Sequence, residues 1–324
     1  MRYPFTVAVI GSGFMGETHL GVWVNKAERV ILCSNDREKG AALAARFGCA
    51  FYGDYKEMLK KEKVDIASVC VPTPLHAPIT VDCLRGGAHV LCEKPFAPST
   101  EEAEEMIRVA EETGKLLMVA HCVRFSKHYE FLRRCIAEQR FGKLRYLHLY
   151  RHSAAPAWST SNWLTDPGTS GGVVRDMHIH DTDLIKHLLG TPQSVYTTGD
   201  PLFCSTVYRF DGDCFVTAAA SWRGTRSFAF ESGFDASFES AVVRLAEGKL
   251  QLITDAPTGY SPEAEEYPSY LQGETNYENE IEYLCQCLTQ GVPPLHCMPE
   301  ENLESLRINM AEFQSLTAGE PVKL

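Results

Sequence analysis

The chain has 324 residues, enough for two domains of ordinary size, and 44% of them are hydrophobic, which excludes a disordered chain. Lys and Arg number 31 against 42 Asp and Glu, so the formal charge is −11, the wrong sign for a face that neutralises nucleic-acid phosphates. No apolar run reaches the roughly 18 residues of a membrane span. The opening Met1-Arg2-Tyr3-Pro4-Phe5-Thr6 does not resemble a secretory signal. The twelve cysteines are scattered without a CxxC pair, which predicts reduced thiols in a cytoplasmic protein.

Five short apolar runs read as buried strands: Thr6 to Ile10, Val30 to Cys33, Ile66 to Val71, His89 to Cys92 and Leu116 to Ala120. Helical stretches lie between them, at Met15 to Lys26, Glu38 to Phe47, Tyr55 to Lys61, Pro78 to Arg85 and Thr100 to Glu112. The last opens on Ser99 and Glu102, spaced as a capping box, and stops at Gly114. Strand alternating with helix predicts a doubly wound parallel sheet covered on both faces. After Arg124 the rhythm changes. A helix is predicted from Lys127 to Gln139 and a strand from Lys143 to His152. An irregular stretch follows from Ser153 to Gly172, then a helix from Asp176 to Leu189. Strand-like segments between Val195 and Thr254, separated by Gly and Asp, predict a largely antiparallel sheet joined by hairpins. Two helices close the chain, Thr275 to Gln290 and Pro299 to Thr317. The predicted domains are 1–122 and 123–324, α/β and α+β respectively.

The first strand runs into Gly11-Ser12-Gly13-Phe14-Met15-Gly16, a GxGxxG turn opening a helix. Between strand and helix the pattern signals a dinucleotide site: the glycines let the backbone approach a pyrophosphate, and the helix N-terminus favours its charge. The second strand ends Cys33-Ser34-Asn35-Asp36-Arg37. A carboxylate at the strand end favours NAD by bonding the ribose hydroxyls, but position 34 is Ser. Arg37 either faces a 2′-phosphate or begins the next helix with Asp36, so NAD and NADP both stay open. The third strand leads into Pro72-Thr73-Pro74-Leu75-His76 and the fourth into Glu93-Lys94-Pro95. Both lie at the carboxyl edge of the sheet, where ligands of such sheets bind. Pro95 keeps Lys94 out of a helix.

These motifs, with His121 and Arg124 in AHCVRF and with Gly171-Gly172, Asp176, His180 and Asp183 spaced GG-x-x-x-D-x-x-x-H-x-x-D, resemble the Gfo/Idh/MocA oxidoreductase family. The resemblance implies a Rossmann domain followed by a substrate-binding domain built on an open, largely antiparallel sheet that often serves oligomer contacts. It also implies hydride transfer between NAD or NADP and a sugar, inositol or related polyol. The family's catalytic triad falls on Lys94, Asp176 and His180. Asp176 and His180 share a helical face, so the carboxylate can orient the imidazole as a proton acceptor. Lys94 then polarises the reacting oxygen. His178 points elsewhere on such a helix, which argues against a shared metal and predicts a core or surface residue. His121 and Arg124 fall where a substrate would lie, although an arginine so placed is more often a structural salt-bridge partner than a ligand contact. Trp158, Asn162 and Trp163 suit a sugar, with either Trp as a platform for the ring or as an anchor for its loop. Glu263 to Glu266 read as a solvated loop. Two other readings remain: a redox-neutral glycosidase-type enzyme that uses bound NAD transiently, and a regulator that keeps the dinucleotide fold without chemistry.

Overall fold

The computed structural model describes residues 2–156 and 170–324. The chain divides into two compact units, residues 1–122 with Gln272–Leu303, and Val123–Leu271 with Glu304–Leu324.

The first unit is built on β1 (Tyr3–Ile10), α1 (Phe14–Lys26), β2 (Ala27–Cys33), α2 (Arg37–Phe47), β3 (Ala50–Tyr52), α3 (Tyr55–Lys61), β4 (Ile66–Val69), α4 (His76–Arg85), β5 (His89–Glu93), α5 (Thr100–Thr113) and β6 (Leu117–Ala120). Its six strands are parallel, in the order β3-β2-β1-β4-β5-β6. That order reverses beside β1, which places a switch point at the end of the first strand. Val7 to Ile10 and Ile66 to Val69 are buried throughout, as strands covered on both faces must be. Asp36, Asp54 and Ser99 each cap a helix by accepting a backbone N–H. The three-residue β3 is absent from the sequence reading because so short a strand has no periodicity to detect.

The reading of 123–324 as one contiguous domain is corrected by Gln272–Leu303, which joins the first unit. Within this segment the helix Asn276–Gln290 opens on a capping box between Thr275 and Glu278. Its Glu282 accepts from Tyr3 Oη at 2.6 Å and pairs with Lys26, which fastens it beside β1 and α1.

The second unit opens with α6 (Lys127–Ala137) and β7 (Leu144–Ala154). A π turn at Val174–His178 then leads into α7 (Ile179–Leu189). The strands β8 (Ser194–Asp200), β9 (Phe203–Arg209), β10 (Phe215–Gly224), β11 (Glu231–Phe238), β12 (Val242–Ala246) and β13 (Lys249–Ile253) follow. The helix Asn276–Gln290 of the first unit is α8, and α9 (Pro299–Ala318) and β14 (Val322–Lys323) end the chain. The sheet has eight strands in the order β13-β12-β11-β7-β10-β9-β8-β14, antiparallel except where β7 and β10 run parallel. One face buries Leu147, Leu149, Val216, Ala218, Ala220 and Phe234. The other carries Tyr146 stacked on Phe215 and a row of His148, Tyr150 and His152. The run around Glu263 to Glu266 is not simply solvated: Glu265 is partly buried and accepts from Arg134 and Arg140. Among the described residues no helix is long and apolar enough to cross a membrane.

Candidate active site

In the first unit the glycine turn is fixed by close packing. Gly11 sits at φ +119°, and its N–H donates to Cys33 O at 2.8 Å. A Cβ on Gly11 would lie 2.2 Å from Cys70 O, and one on Gly16 would lie 2.0 Å from Gly11 O. Only glycine lets β1, β4 and α1 converge here. A Cβ on Gly13 would meet nothing within 4 Å, and no side chain caps the start of α1. The turn thus offers open backbone and uncapped N–H groups, as a pyrophosphate requires, and the residues present fit a dinucleotide. Phe14 is 56% exposed beside it.

Beyond β4, Pro72 and Thr73 lie at the surface while His76 is buried beneath them. The His76 ring reaches two carbonyls, Pro95 O from Nδ1 at 2.8 Å and Val71 O from Nε2 at 2.9 Å. Burial holds its pKa below the ordinary imidazole value. His76 is therefore a tie between two loops, with both ring nitrogens on carbonyls. Glu93 is likewise interior: Oε1 lies 3.0 Å from His19 Nε2, and Oε2 accepts the Lys94 N–H at 3.1 Å. Burial opposes charge on both partners. Their mutual contact outweighs it on Glu93, held below the carboxylate range, while Cys70 and Glu93 raise His19. His19 Nδ1 also meets Ser68 Oγ at 2.7 Å. Glu93 thus anchors the segment from inside, and Lys94, partly exposed, follows it through a cis peptide to Pro95. His121, at the end of β6, is 2% exposed.

In the second unit Gly171 and Gly172 turn the chain with φ of +76° and +67°. The Val173 N–H then donates to Pro201 O at 2.9 Å and seats the π turn against the sheet. Asp176 lies in this π turn and His180 in the first turn of α7, both partly exposed. The wider turn still brings residues four apart to one face, and π turns recur at functional sites. The three residues after His180 are buried and held by side chains. Asp181 takes a forked pair of hydrogen bonds from Arg151 at 2.8 and 3.2 Å. Thr182 donates to Glu312 at 2.8 Å. Asp183 takes a second fork from Arg124 at 2.7 and 2.8 Å and a hydrogen bond from Ser305. Asn309 donates to Val174 O at 2.9 Å, supporting the π turn itself.

This arrangement turns Arg124 from a substrate contact to a structural partner: its side chain is fully buried and its guanidinium forks onto Asp183. Arg151 lies on β7, as predicted, and the strand continues to Ala154, two residues beyond its predicted end. His178 is a core residue, with Nε2 2.9 Å from Thr206 Oγ1 and 3.1 Å from Tyr208 Oη. Burial disfavours its charge, but Cys204 and the Glu312 carboxylate 3.8 Å away push its pKa up to about 9. Among the described residues no group of three or more His, Cys, Asp or Glu is placed to hold a metal ion. Trp158, Asn162 and Trp163 lie outside the described residues. Sequence reasoning missed His19, the Arg151–Asp181 pair and Glu312. Only the last leaves a signal: Asn302, Ser305, Asn309, Glu312 and Ser315 recur every three or four residues along α9 and are wholly buried.

Residues 5–121 match the family model described as oxidoreductase family, NAD-binding Rossmann fold, and residues 129–240 match the GFO/IDH/MocA C-terminal domain. The chain belongs to the Gfo/Idh/MocA oxidoreductase family. It is similar to the 2,7-anhydro-N-acetylneuraminate hydratase of Mediterraneibacter gnavus, 29% identical over 194 residues, 59% of this chain and 51% of that protein. It is also similar to the D-glucoside 3-dehydrogenase of Escherichia coli, 31% identical over 195 residues, 58% of this chain and 55% of that protein. The chain spans about half the length of these curated relatives. The myo-inositol 2-dehydrogenase structure from Lactobacillus plantarum shares the fold, with a TM-score of 0.84 at 20% identity over 99% of this chain and all of that one.

Proposed function

We propose that this chain is an NAD- or NADP-dependent oxidoreductase that acts on a hydroxyl or carbonyl carbon of a sugar, inositol or related polyol. The observation that carries the reading is the α7 segment: Asp176 and His180 share a partly exposed face while the next three residues are locked inside. A helix held by two buried Arg–Asp forks presents its acid–base pair with little freedom, as general catalysis requires. The dinucleotide, when bound, supplies a hydride acceptor or donor. In alcohol oxidation His180 takes the hydroxyl proton as the carbon–hydrogen bond yields its hydride and the carbonyl forms. In reduction His180 returns the proton. The Lys94 ammonium hydrogen-bonds the reacting oxygen and favours its developing negative charge. Asp176 bonds a neighbouring substrate hydroxyl or orients His180.

The test is a screen of sugars and inositols with each dinucleotide, following the reduced nicotinamide. A polyol that yields reduced nicotinamide and a ketone or lactone supports the reading. A relative named as a hydratase favours a second reading, in which hydride is borrowed and returned while a sugar bond is broken. Cleavage of a sugar bond without accumulation of reduced nicotinamide would establish that one instead. The twelve cysteines are all free thiols, which suits a reducing cytoplasm. The sheet face bearing Tyr146, Tyr150 and Phe215 suits a homo-oligomer, with Phe215 53% exposed. Sedimentation of the chain and of Phe215→Asp tests this: the wild type should exceed the monomer mass and the variant approach it.

A further inference from the structure

The end of β2 decides which dinucleotide fits, and three features there point one way. First, the strand ends on a hydroxyl. Ser34 is 6% exposed, its Oγ lies 2.8 Å from Ser12 Oγ in the glycine turn, and it accepts the Asp36 N–H at 3.2 Å. A carboxylate at this place would bond the ribose diol and repel a 2′-phosphate, and Ser34 does neither. Second, the two acids at this end of the sheet are taken up as helix caps, Asp54 accepting the Glu57 N–H at 2.8 Å at the start of α3. Asp36 accepts the Lys39 N–H at 3.1 Å as the cap of α2. Third, Arg37 folds back to the strand end. Ser34 N–H donates to Tyr52 O at 3.1 Å, which sets Gly53 beside it. The Arg37 guanidinium lies on Gly53, where an added Cβ would come 2.8 Å from Cζ. Among the described residues this guanidinium has no hydrogen-bond or ion-pair partner. A planar fork so placed matches a phosphate, and exposed Asn35 adds a further donor.

We infer that the chain selects the 2′-phosphorylated dinucleotide, with Arg37 reading the phosphate and Ser34 leaving the strand end without the carboxylate that would repel it. The inference rests on the dinucleotide reading above and narrows it. It is tested without substrate, by calorimetric titration of the purified chain with NADP+ and with NAD+. NADP+ should bind at least about tenfold more tightly. Arg37→Ala should remove most of that ratio by weakening NADP+ alone, and Ser34→Asp should invert it. The nucleotide 2′,5′-ADP should compete with NADP+ on the wild type and not on Arg37→Ala. Equal or tighter binding of NAD+ by the wild type would overturn the inference and leave the oxidoreductase reading standing. So would an Arg37→Ala effect that is the same for both dinucleotides. Binding of neither would overturn both.

Discussion

In the first unit Lys94 is presented by backbone: β5 ends, Glu93 pins the next N–H, and the chain emerges at the edge of a sheet whose strands are apolar. In the second unit Asp176 and His180 are presented by side chains: a π turn and helix gripped through Asp181, Thr182, Asp183 and Val174 by polar groups on α9, β7 and the segment before α6. The two modes fail differently. A backbone-built site tolerates most side-chain changes and breaks where a Cβ meets main chain. A helix held by buried charges breaks wherever one partner is removed, because the other is then left uncompensated.

The largest expected effect on dinucleotide binding attacks the backbone mode. Gly11→Ala forces a Cβ against Cys70 O at 2.2 Å and strains a φ of +119°. Dinucleotide affinity should fall on the order of 100-fold, or about 3 kcal/mol, measured by titration. Next comes the side-chain mode. Arg124→Ala leaves Asp183 buried without its fork, and urea unfolding should show a loss of about 3–5 kcal/mol. A smaller effect is pH-dependent. Folded His178 holds its proton to about pH 9, above the ordinary 6.5, against the Cys204, Glu312, Asp181 and Tyr208 that surround it. Its contribution to stability is complete below the unfolded value and disappears as pH rises through the folded one. Melting temperature should therefore fall between roughly pH 6.5 and 9 in the wild type, and His178→Gln should flatten that slope. The smallest is a control at a surface pair. Arg108 and Glu112, both about half exposed, contribute at most about 0.5 kcal/mol, so Arg108→Ala should leave unfolding almost unmoved.

The same contrast explains what the sequence disclosed. Gly11, Gly13 and Gly16 are legible because a backbone requirement leaves few residue choices, and the Lys94-Pro95 step is legible for the same reason. His76 and Glu93 were found in their motifs, but their interior partners were not, since a motif names a place in the chain and not the direction of a side chain. Arg124 illustrates the limit most clearly: its partner Asp183 is 59 residues away, and no local pattern links them. The π turn at Val174–His178 has no sequence period of its own, so the segment reads as ordinary helix. The return of Gln272–Leu303 to the first unit is topological, and the capping box that starts its helix says nothing of where the helix packs.

The central claim is that one unit binds the dinucleotide and supplies Lys94 while the other supplies the proton acceptor His180. It is tested most directly by measuring dinucleotide affinity and turnover side by side, on the best polyol from the screen, for the wild type, Lys94→Ala and His180→Ala. The account predicts dissociation constants within about threefold of wild type for both variants and turnover lowered about 10²- to 10⁴-fold. Turnover within a few-fold of wild type in either variant, with the fold intact, would contradict it.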